Sequence, residues 1–196
     1  MSRRRVRAVV RAHAARYHRP MTSLTYVVLT AVGPDRPGLV DAVTSYVLER
    51  GGNLEDSRMV NLHGQFAMML LVAGSAECLA ALRDGLPALQ ETAGVLAQLQ
   101  PAAPPPPAVA ALPCRITAWA MDHPGLMNSV SHLLAGLDVN IESAETSLSS
   151  APHTGTPLFT MQMVVSVPGT TPVAELREQL GRLCDDLNID WNLSAL

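Results

Sequence analysis

A short motif whose residues suit the capture of a small charged ligand occurs twice in this chain, at a spacing of 87 residues. The two copies read Asp35-Arg36-Pro37-Gly38-Leu39 and Asp122-His123-Pro124-Gly125-Leu126. A carboxylate just before a helix start can cap free backbone N–H groups and lies at the positive end of the helix dipole. Glycine then leaves room for a ligand carboxylate to approach the amides of the first turn. The motif therefore predicts a ligand site at each of two helix starts.

Polar residues downstream keep the same spacing, because Asn53 corresponds to Asn140 and Glu55 to Glu142. A ligand that also carries an ammonium group needs acceptors for it, and Asn53, Asn140 or the loop aspartates can supply them. We therefore add Asn53, Glu55 and Asn140 to the candidate site. Because apolar positions repeat together with the polar ones, the chain is predicted to be two copies of one small domain.

Each of these residues also has a plain structural interpretation. Asp35 and Asp122 can be simple N-caps, and the two motif glycines can be simple turn residues. Asn53 and Asn140 suit a turn after a helix, where asparagine tolerates a left-handed backbone. Glu55 can be a solvated residue on an edge strand. The sequence leaves both interpretations open.

The residue inventory gives an enzyme hypothesis little support. The chain contains no lysine, which excludes Schiff-base chemistry and a phosphate loop that ends in lysine. No GxSxG elbow and no Cys–His nucleophile pair is present. The histidines His123, His132 and His153 lack metal-ligand spacing. We therefore expect no catalytic residue, no metal and no cofactor.

The composition indicates a cytoplasmic protein with two small domains. Apolar residues make up 48% of the 196 positions and aromatic residues only 4%, so the cores should be aliphatic. No apolar run approaches the roughly 20 residues of a membrane span, and we expect a soluble protein without a membrane partner. The three cysteines are odd in number and far apart, which favours buried thiols in a reducing compartment.

The net charge of −3 conceals an uneven distribution. Residues 1–20 hold seven arginines and no acid, whereas residues 21–196 carry a net charge of −10. A phosphate backbone is repelled by such an acidic body, so we expect no direct nucleic-acid contact by it. The basic head 1–20 can be a nucleic-acid arm, a transit-like peptide or an extension upstream of a natural start at Met21. We prefer the last interpretation and expect the head to be disordered.

The hydrophobic pattern places the motif between a strand and a helix in both copies. In the first copy (21–100) we predict strands over 24–32, 53–62, 65–73 and 95–99 and helices from Pro37 to about 50 and over 77–86. In the second copy (114–196) we predict strands over 114–121, 140–148, 158–167 and 189–193 and helices over 126–137 and 173–187. Each copy then has the order β-α-β-β-α-β, an α+β ferredoxin-like domain. The segment 101–113 is rich in proline and is predicted to be an extended linker.

The motif and the order of these elements together resemble a known family. A βαββαβ unit with Asp-x-Pro-Gly-Leu in the first loop and Gly-x-Asn-Leu/Ile after the first helix resembles an ACT domain. Two such units in tandem, the first reading GPDRPGLVDAVTSYVLERGGNLEDSRM, resemble the glycine cleavage system transcriptional repressor family over about residues 24–196. The second motif departs from the pattern, with Met121 and His123 where the first copy has Pro34 and Arg36.

The resemblance implies a non-enzymatic regulator that senses a small, glycine-like amino acid and acts through a partner regulatory protein. In ACT-like proteins the ligand site lies between the loop of one unit and the second strand of another. The resemblance therefore keeps a homo-oligomer among the alternatives. A second hypothesis remains beside this one. The chain can instead be a structural interaction module that assembles with a metabolic enzyme and binds no metabolite.

Overall fold

The computed structural model describes residues 25–103, 111–150 and 155–196. The basic head 1–20 and most of the proline-rich segment lie outside the described residues, so the disorder expected of the head stays a prediction. The chain divides into two compact units with the boundary between Pro105 and Pro106. We refer to them as unit 1 and unit 2.

Unit 1 has the predicted β-α-β-β-α-β order. Its elements are β1 (Thr25–Pro34), α1 (Leu39–Glu49), β2 (Asn53–Leu62), β3 (Gln65–Gly74), α2 (Ala76–Ala93) and β4 (Leu96–Ala102). The four strands form one antiparallel sheet in the order β2-β3-β1-β4. This is the ferredoxin-like arrangement that the sequence predicted.

Unit 2 repeats the arrangement. Its elements are β5 (Ala111–Met121), α3 (Leu126–Gly136), β6 (Asn140–Ser150), β7 (Pro157–Pro168), α4 (Val173–Leu187) and β8 (Asp190–Ala195). The sheet order is β6-β7-β5-β8, again antiparallel. The α+β class with two tandem ACT-like folds is therefore confirmed.

Alternation along the central strands decides which face each helix pair covers. Successive strand residues point to opposite faces, so one residue in two enters the core. The fully buried side chains of unit 1 come from alternate positions of β1 and β3 and from one stripe of each helix: Leu29, Ala31, Met68, Leu70, Val72, Val43, Val47 and Leu82. Unit 2 is filled in the same way by aliphatic and sulfur-containing residues. Both cores are therefore aliphatic, as the composition predicted.

Helix α2 is longer than the predicted range 77–86. It continues through Pro87 to Ala93 and ends at Gly94, which adopts a left-handed conformation with φ 65°. Proline usually ends a helix because it lacks an N–H group and its ring meets the preceding turn. Here Leu89 and Ala93 continue the buried stripe beyond the proline. Packing against the core therefore overrides the local signal, and the predicted end at residue 86 is wrong.

Two strands extend into the segment 101–113 that we expected to be linker. β4 runs to Ala102 and includes Pro101, which is tolerated because β4 is an edge strand. β5 begins at Ala111 and includes Pro113. It pairs with β8 only from Cys114 onward. Pro113 therefore lies where β5 pairs with β7 alone, and its missing N–H group breaks no strand pairing on the β8 side.

Candidate functional site

The helix α1 starts at a left-handed glycine rather than at a capping carboxylate. Gly38 is the N-cap residue with φ 84°, and no side chain caps the helix. Gly125 plays the same part before α3, with φ 98° and again without a side-chain cap. L-residues with a Cβ rarely adopt this conformation, which explains the glycine at both positions. The expectation that Asp35 and Asp122 cap these helices is therefore wrong.

The Asp35 carboxylate is held by the β2–β3 hairpin instead. Asn61 Nδ2 donates to Asp35 Oδ2 over 2.6 Å, and the Asp35 N–H donates to the Gly64 carbonyl over 2.8 Å. The hairpin itself is the tight turn predicted at His63 and Gly64, which have φ 48° and 76°. The carboxylate is thus bonded to the hairpin rather than to the first amides of α1.

Arg36 links the loop to the far end of the second helix. Its Nη2 atom donates to the Ala93 carbonyl over 2.9 Å, at the last residue of α2. A cation is favourable there because the carbonyls at a helix end are unpaired and carry the negative end of the dipole. The guanidinium therefore stabilises the fold. Part of its charge is already engaged by the Ala93 carbonyl when no ligand is bound.

The loop and the first turn of α1 form the wall of a shallow cavity of about 390 Å³. It is lined by Asp35, Arg36, Pro37, Gly38, Leu39, Val40, Asp41 and Phe66. All five residues of the first motif are therefore brought together. Sequence reasoning missed Val40, Asp41 and Phe66 as lining residues.

A signal for the missed phenylalanine was present in the sequence. The chain contains only two phenylalanines, Phe66 and Phe159. Phe66 pairs with Gly33 of β1, and Phe159 pairs with Ala120, the equivalent residue of β5. Both rings thus stand at the same place in their units, beside the strand end that leads into the motif.

The cavity offers two kinds of group to a ligand. The first N–H groups of an α-helix have no intrahelical carbonyl. Leu39 N–H donates to the Arg36 carbonyl and Ala42 N–H to the Gly38 carbonyl, over 3.3 Å and 2.9 Å. Within the residues that the structure describes, this leaves the amides of Val40 and Asp41 for an acceptor. Asp35 and Asp41 also line the cavity, and carboxylates are groups that suit a cation.

Asn53 and Glu55 lie at the other end of the sheet. Asn53 is opposite Ala73, whereas the far end of β2 meets Gln65 at Leu62. At about 3.3 Å per residue, this separates Asn53 from the loop end of the sheet by about 30 Å. Asn53 and Glu55 therefore lie too far from Asp35 of the same unit to contact one small ligand together with it. The same holds for Asp122 and Asn140, since β6 pairs with β7 in the equivalent register.

The repeated Asn and Glu form a local pair at a β-bulge in both units. The registers shift between Leu54 and Asp56 and between Ile141 and Ser143, so the glutamate between them is the extra residue. The amide of Asn53 donates to Glu55 Oε1 over 2.8 Å.

In unit 2, Asn140 Nδ2 donates to Glu142 Oε1 over 2.7 Å. This hydrogen bond, together with a weaker one from Ser166, holds the pKa of Glu142 below its ordinary value. The repeated Asn-x-Glu spacing thus has a structural explanation that needs no ligand.

The second loop has the same backbone but other side chains. The Asp122 N–H donates to the Pro157 carbonyl over 3.0 Å. His123 Nδ1 lies 3.2 Å from the Pro124 carbonyl of its own loop, whereas Arg36 in unit 1 reaches the second helix. Leu126 begins α3 and is buried.

No group of three or more His, Cys, Asp or Glu side chains is placed to hold a metal ion among the described residues. No helix there is long and apolar enough to cross a membrane.

Comparison with known proteins agrees with the fold and the motif. A model of the ACT domain family matches residues 25–100, from β1 to β4. The glycine cleavage system transcriptional repressor of Escherichia coli (strain K12) is 26% identical over 178 residues, which cover 90% of this chain and 93% of that relative.

Two crystal structures match the chain along its length. An unknown protein from Galdieria sulphuraria gives a TM-score of 0.74 at 26% identity and covers 89% of this chain and 99% of its own. A structure assigned to a glycine cleavage system transcriptional repressor gives 0.68 at 23% identity, with the same coverage. At 23% identity, this second similarity supports a shared fold and nothing further. Residues 25–100 thus match the ACT domain family, and the chain as a whole is similar to the glycine cleavage system transcriptional repressor of Escherichia coli.

Proposed function

We propose that the chain is a non-enzymatic regulatory protein that senses a small, glycine-like amino acid. The observation that carries this proposal is the cavity at the start of α1, where the five motif residues and Phe66 meet. The match of residues 25–100 to the ACT domain supports it.

The groups at the cavity suit both charges of an amino acid. The ligand carboxylate accepts from the amides of Val40 and Asp41, at the positive end of the helix dipole. The ammonium group lies beside the carboxylates of Asp35 and Asp41. Gly38 has no side chain to block the approach to these amides. The space beside it is open, because a Cβ at this position would meet nothing within 4 Å. A volume of about 390 Å³ admits a small amino acid.

The proposed regulator acts through a partner protein rather than on DNA. The body 21–196 carries a net charge of −10, which disfavours contact with phosphates. The Escherichia coli relative is a transcriptional repressor of the glycine cleavage system. A transcription regulator of that system is therefore the proposed partner.

A second candidate function rests on the open face of the unit 1 sheet. Val32, Met69 and Leu96 point away from the helices and are 43%, 55% and 79% exposed. Exposed apolar residues on one face are typical of surfaces that bind another protein. The chain would then assemble with a metabolic enzyme and bind no metabolite.

Titration with amino acids separates the two functions. We expect glycine or another small amino acid to raise the melting temperature of the full chain, because a ligand at 100 times its Kd adds about 2.7 kcal/mol of stability. Gly38→Val should abolish this shift by filling the approach to the amides. Gly51→Val is the matched control, since Gly51 has φ 79° and open space around it but lies outside the cavity.

Both glycine variants lose stability through the same backbone strain, so only the ligand response should tell them apart. No shift with any amino acid at millimolar concentration would contradict the sensor and favour the interaction module. Equal loss of binding in both variants would show that the ligand does not bind in the α1 cavity.

A further inference from the structure

We infer, on the basis of the proposed function, that the amino acid binds only at the unit 1 loop and that Asn61 positions the Asp35 carboxylate for it. One ligand then binds per chain. The equivalent loop of unit 2 has the same backbone conformation at its glycine but lacks counterparts of Asn61 and Asp41.

The strand registers establish which residues correspond. Asn61 of β2 is paired with Phe66, and Leu148 of β6 is paired with Phe159. Asn61 and Leu148 are also separated by the 87 residues of the repeat. Leu148 therefore occupies the place of Asn61 beside the second loop.

Asn61 makes two hydrogen bonds that orient the first loop. Its Nδ2 atom donates to Asp35 Oδ2 over 2.6 Å, and its Oδ1 atom accepts from the Gly64 N–H over 3.3 Å. The amide is thus anchored to the hairpin while it holds the carboxylate at the edge of the cavity. The hydrocarbon side chain of Leu148 cannot donate to Asp122, and it is 63% exposed.

The first turns of the two helices differ in charge. Asp41 places a carboxylate in the first turn of α1, at the cavity. The residue at the same place in α3 is the neutral Asn128, and the first turn of α3 holds no acid. Unit 1 therefore presents two carboxylates to an ammonium group, and unit 2 presents one.

The third difference concerns the cation of the loop. Arg36 is drawn to the end of α2 by its bond to the Ala93 carbonyl. It therefore keeps the loop in place without neutralising the charge of the Asp35 carboxylate, to which Asn61 donates. His123 stays within its own loop, beside the Pro124 carbonyl. The differences at Asn61 and Asp41 therefore favour an ammonium-bearing ligand at unit 1, and Arg36 does not oppose it.

The test exchanges residues between the two copies in the full chain. Isothermal titration with glycine, alanine, serine and leucine measures the stoichiometry and Kd. Asn61→Leu and Asp41→Asn give unit 1 the residues of unit 2, and Leu148→Asn and Asn128→Asp are the matched controls in unit 2. We expect about one site in the wild type, an affinity at least about tenfold weaker in each unit 1 variant, and unchanged affinity in the controls.

Further measurements separate positioning by Asn61 from a loss of folding. The Asp35–Asn61 bond is exposed, so the melting temperature without ligand should change little in Asn61→Leu. Asn61→Gln retains an amide donor and should recover part of the affinity.

Each remaining outcome decides against the inference. Two sites per chain, or binding that survives in both unit 1 variants, would overturn it and leave the sensor function standing. Loss of binding only in the unit 2 variants would do the same. No binding of any of the four amino acids to the wild type would overturn the sensor function, and the inference with it.

Discussion

Asn140 and Glu142 show how a motif that looks like a ligand site can be explained by the backbone. Their hydrogen bond of 2.7 Å closes a bulge on the edge strand β6. The sequence revealed the repeat of Asn and Glu, but the bulge depends on how β6 aligns with β7. That alignment is set by the whole sheet, so the residue types alone could not distinguish the two interpretations.

We expect Asn140→Ala to raise the pKa of Glu142 toward its ordinary value of 4.5. The amide is the main cause of the lowered pKa, because it donates to the charged form. NMR titration of the glutamate side chain measures the change. Asn53→Ala is the control, since it removes the equivalent amide from the other unit. A pKa of Glu142 that stays depressed in Asn140→Ala would contradict the assignment.

The same bond makes a pH-dependent contribution to stability. The folded pKa of Glu142 lies below the unfolded value, so the folded state holds the proton less tightly. The contribution is therefore complete above pH 4.5 and is lost as the pH falls through the folded pKa.

Among the elements, α2 departs most from its sequence prediction. Tyr46 of α1 is buried, and its hydroxyl donates to the Leu82 carbonyl, one turn before Pro87. Arg50 stacks over the Tyr46 ring at 3.9 Å and donates to the Tyr46 carbonyl over 3.0 Å. The Tyr46–Leu82 bond ties α1 to α2 near the proline. It joins residues 36 positions apart, so no local pattern reveals it.

Tyr46→Phe should lower the free energy of unfolding of unit 1 by about 0.5–1.5 kcal/mol, because the hydrogen bond from the Tyr46 hydroxyl to the Leu82 carbonyl is lost. Urea denaturation followed by circular dichroism measures the loss. Tyr26→Phe removes the same group from a half-buried position on β1 and should cost less. Equal stability of the two variants would show that the Tyr46 hydroxyl contributes nothing to the helix pair.

For the molecule as a whole, each unit encloses its own core, and the cysteines lie within these cores. Cys78, Cys114 and Cys184 are all buried and free. Burial raises the pKa of all three thiols, and the neighbouring Asp185 adds to the effect at Cys184, whose pKa reaches about 11. The thiolate is the reactive form, so these thiols should be inert in the folded protein.

We expect Ellman's reagent at pH 8 to detect no thiol in the native chain and three after unfolding in guanidinium chloride. Protection has two causes, because burial blocks the reagent and the raised pKa removes the thiolate. The unfolded sample is the internal control for the total. Rapid reaction of any thiol in native conditions would mean that the corresponding core opens easily.

The sequence by itself determined the two-copy organisation, the order of elements and the α+β class. These follow from local signals, namely strand alternation, helical spacing and glycine or proline at the turns, and most strand bounds were predicted within about three residues. It also identified the five residues that line the α1 cavity together. Only the tertiary structure decided that Phe66 lines the cavity and Asn61 bonds to Asp35, that Asn53 lies at the other end of the sheet, and that α2 continues past Pro87. These outcomes depend on strand register and on packing between residues distant in the chain, which the periodicity of one segment does not contain.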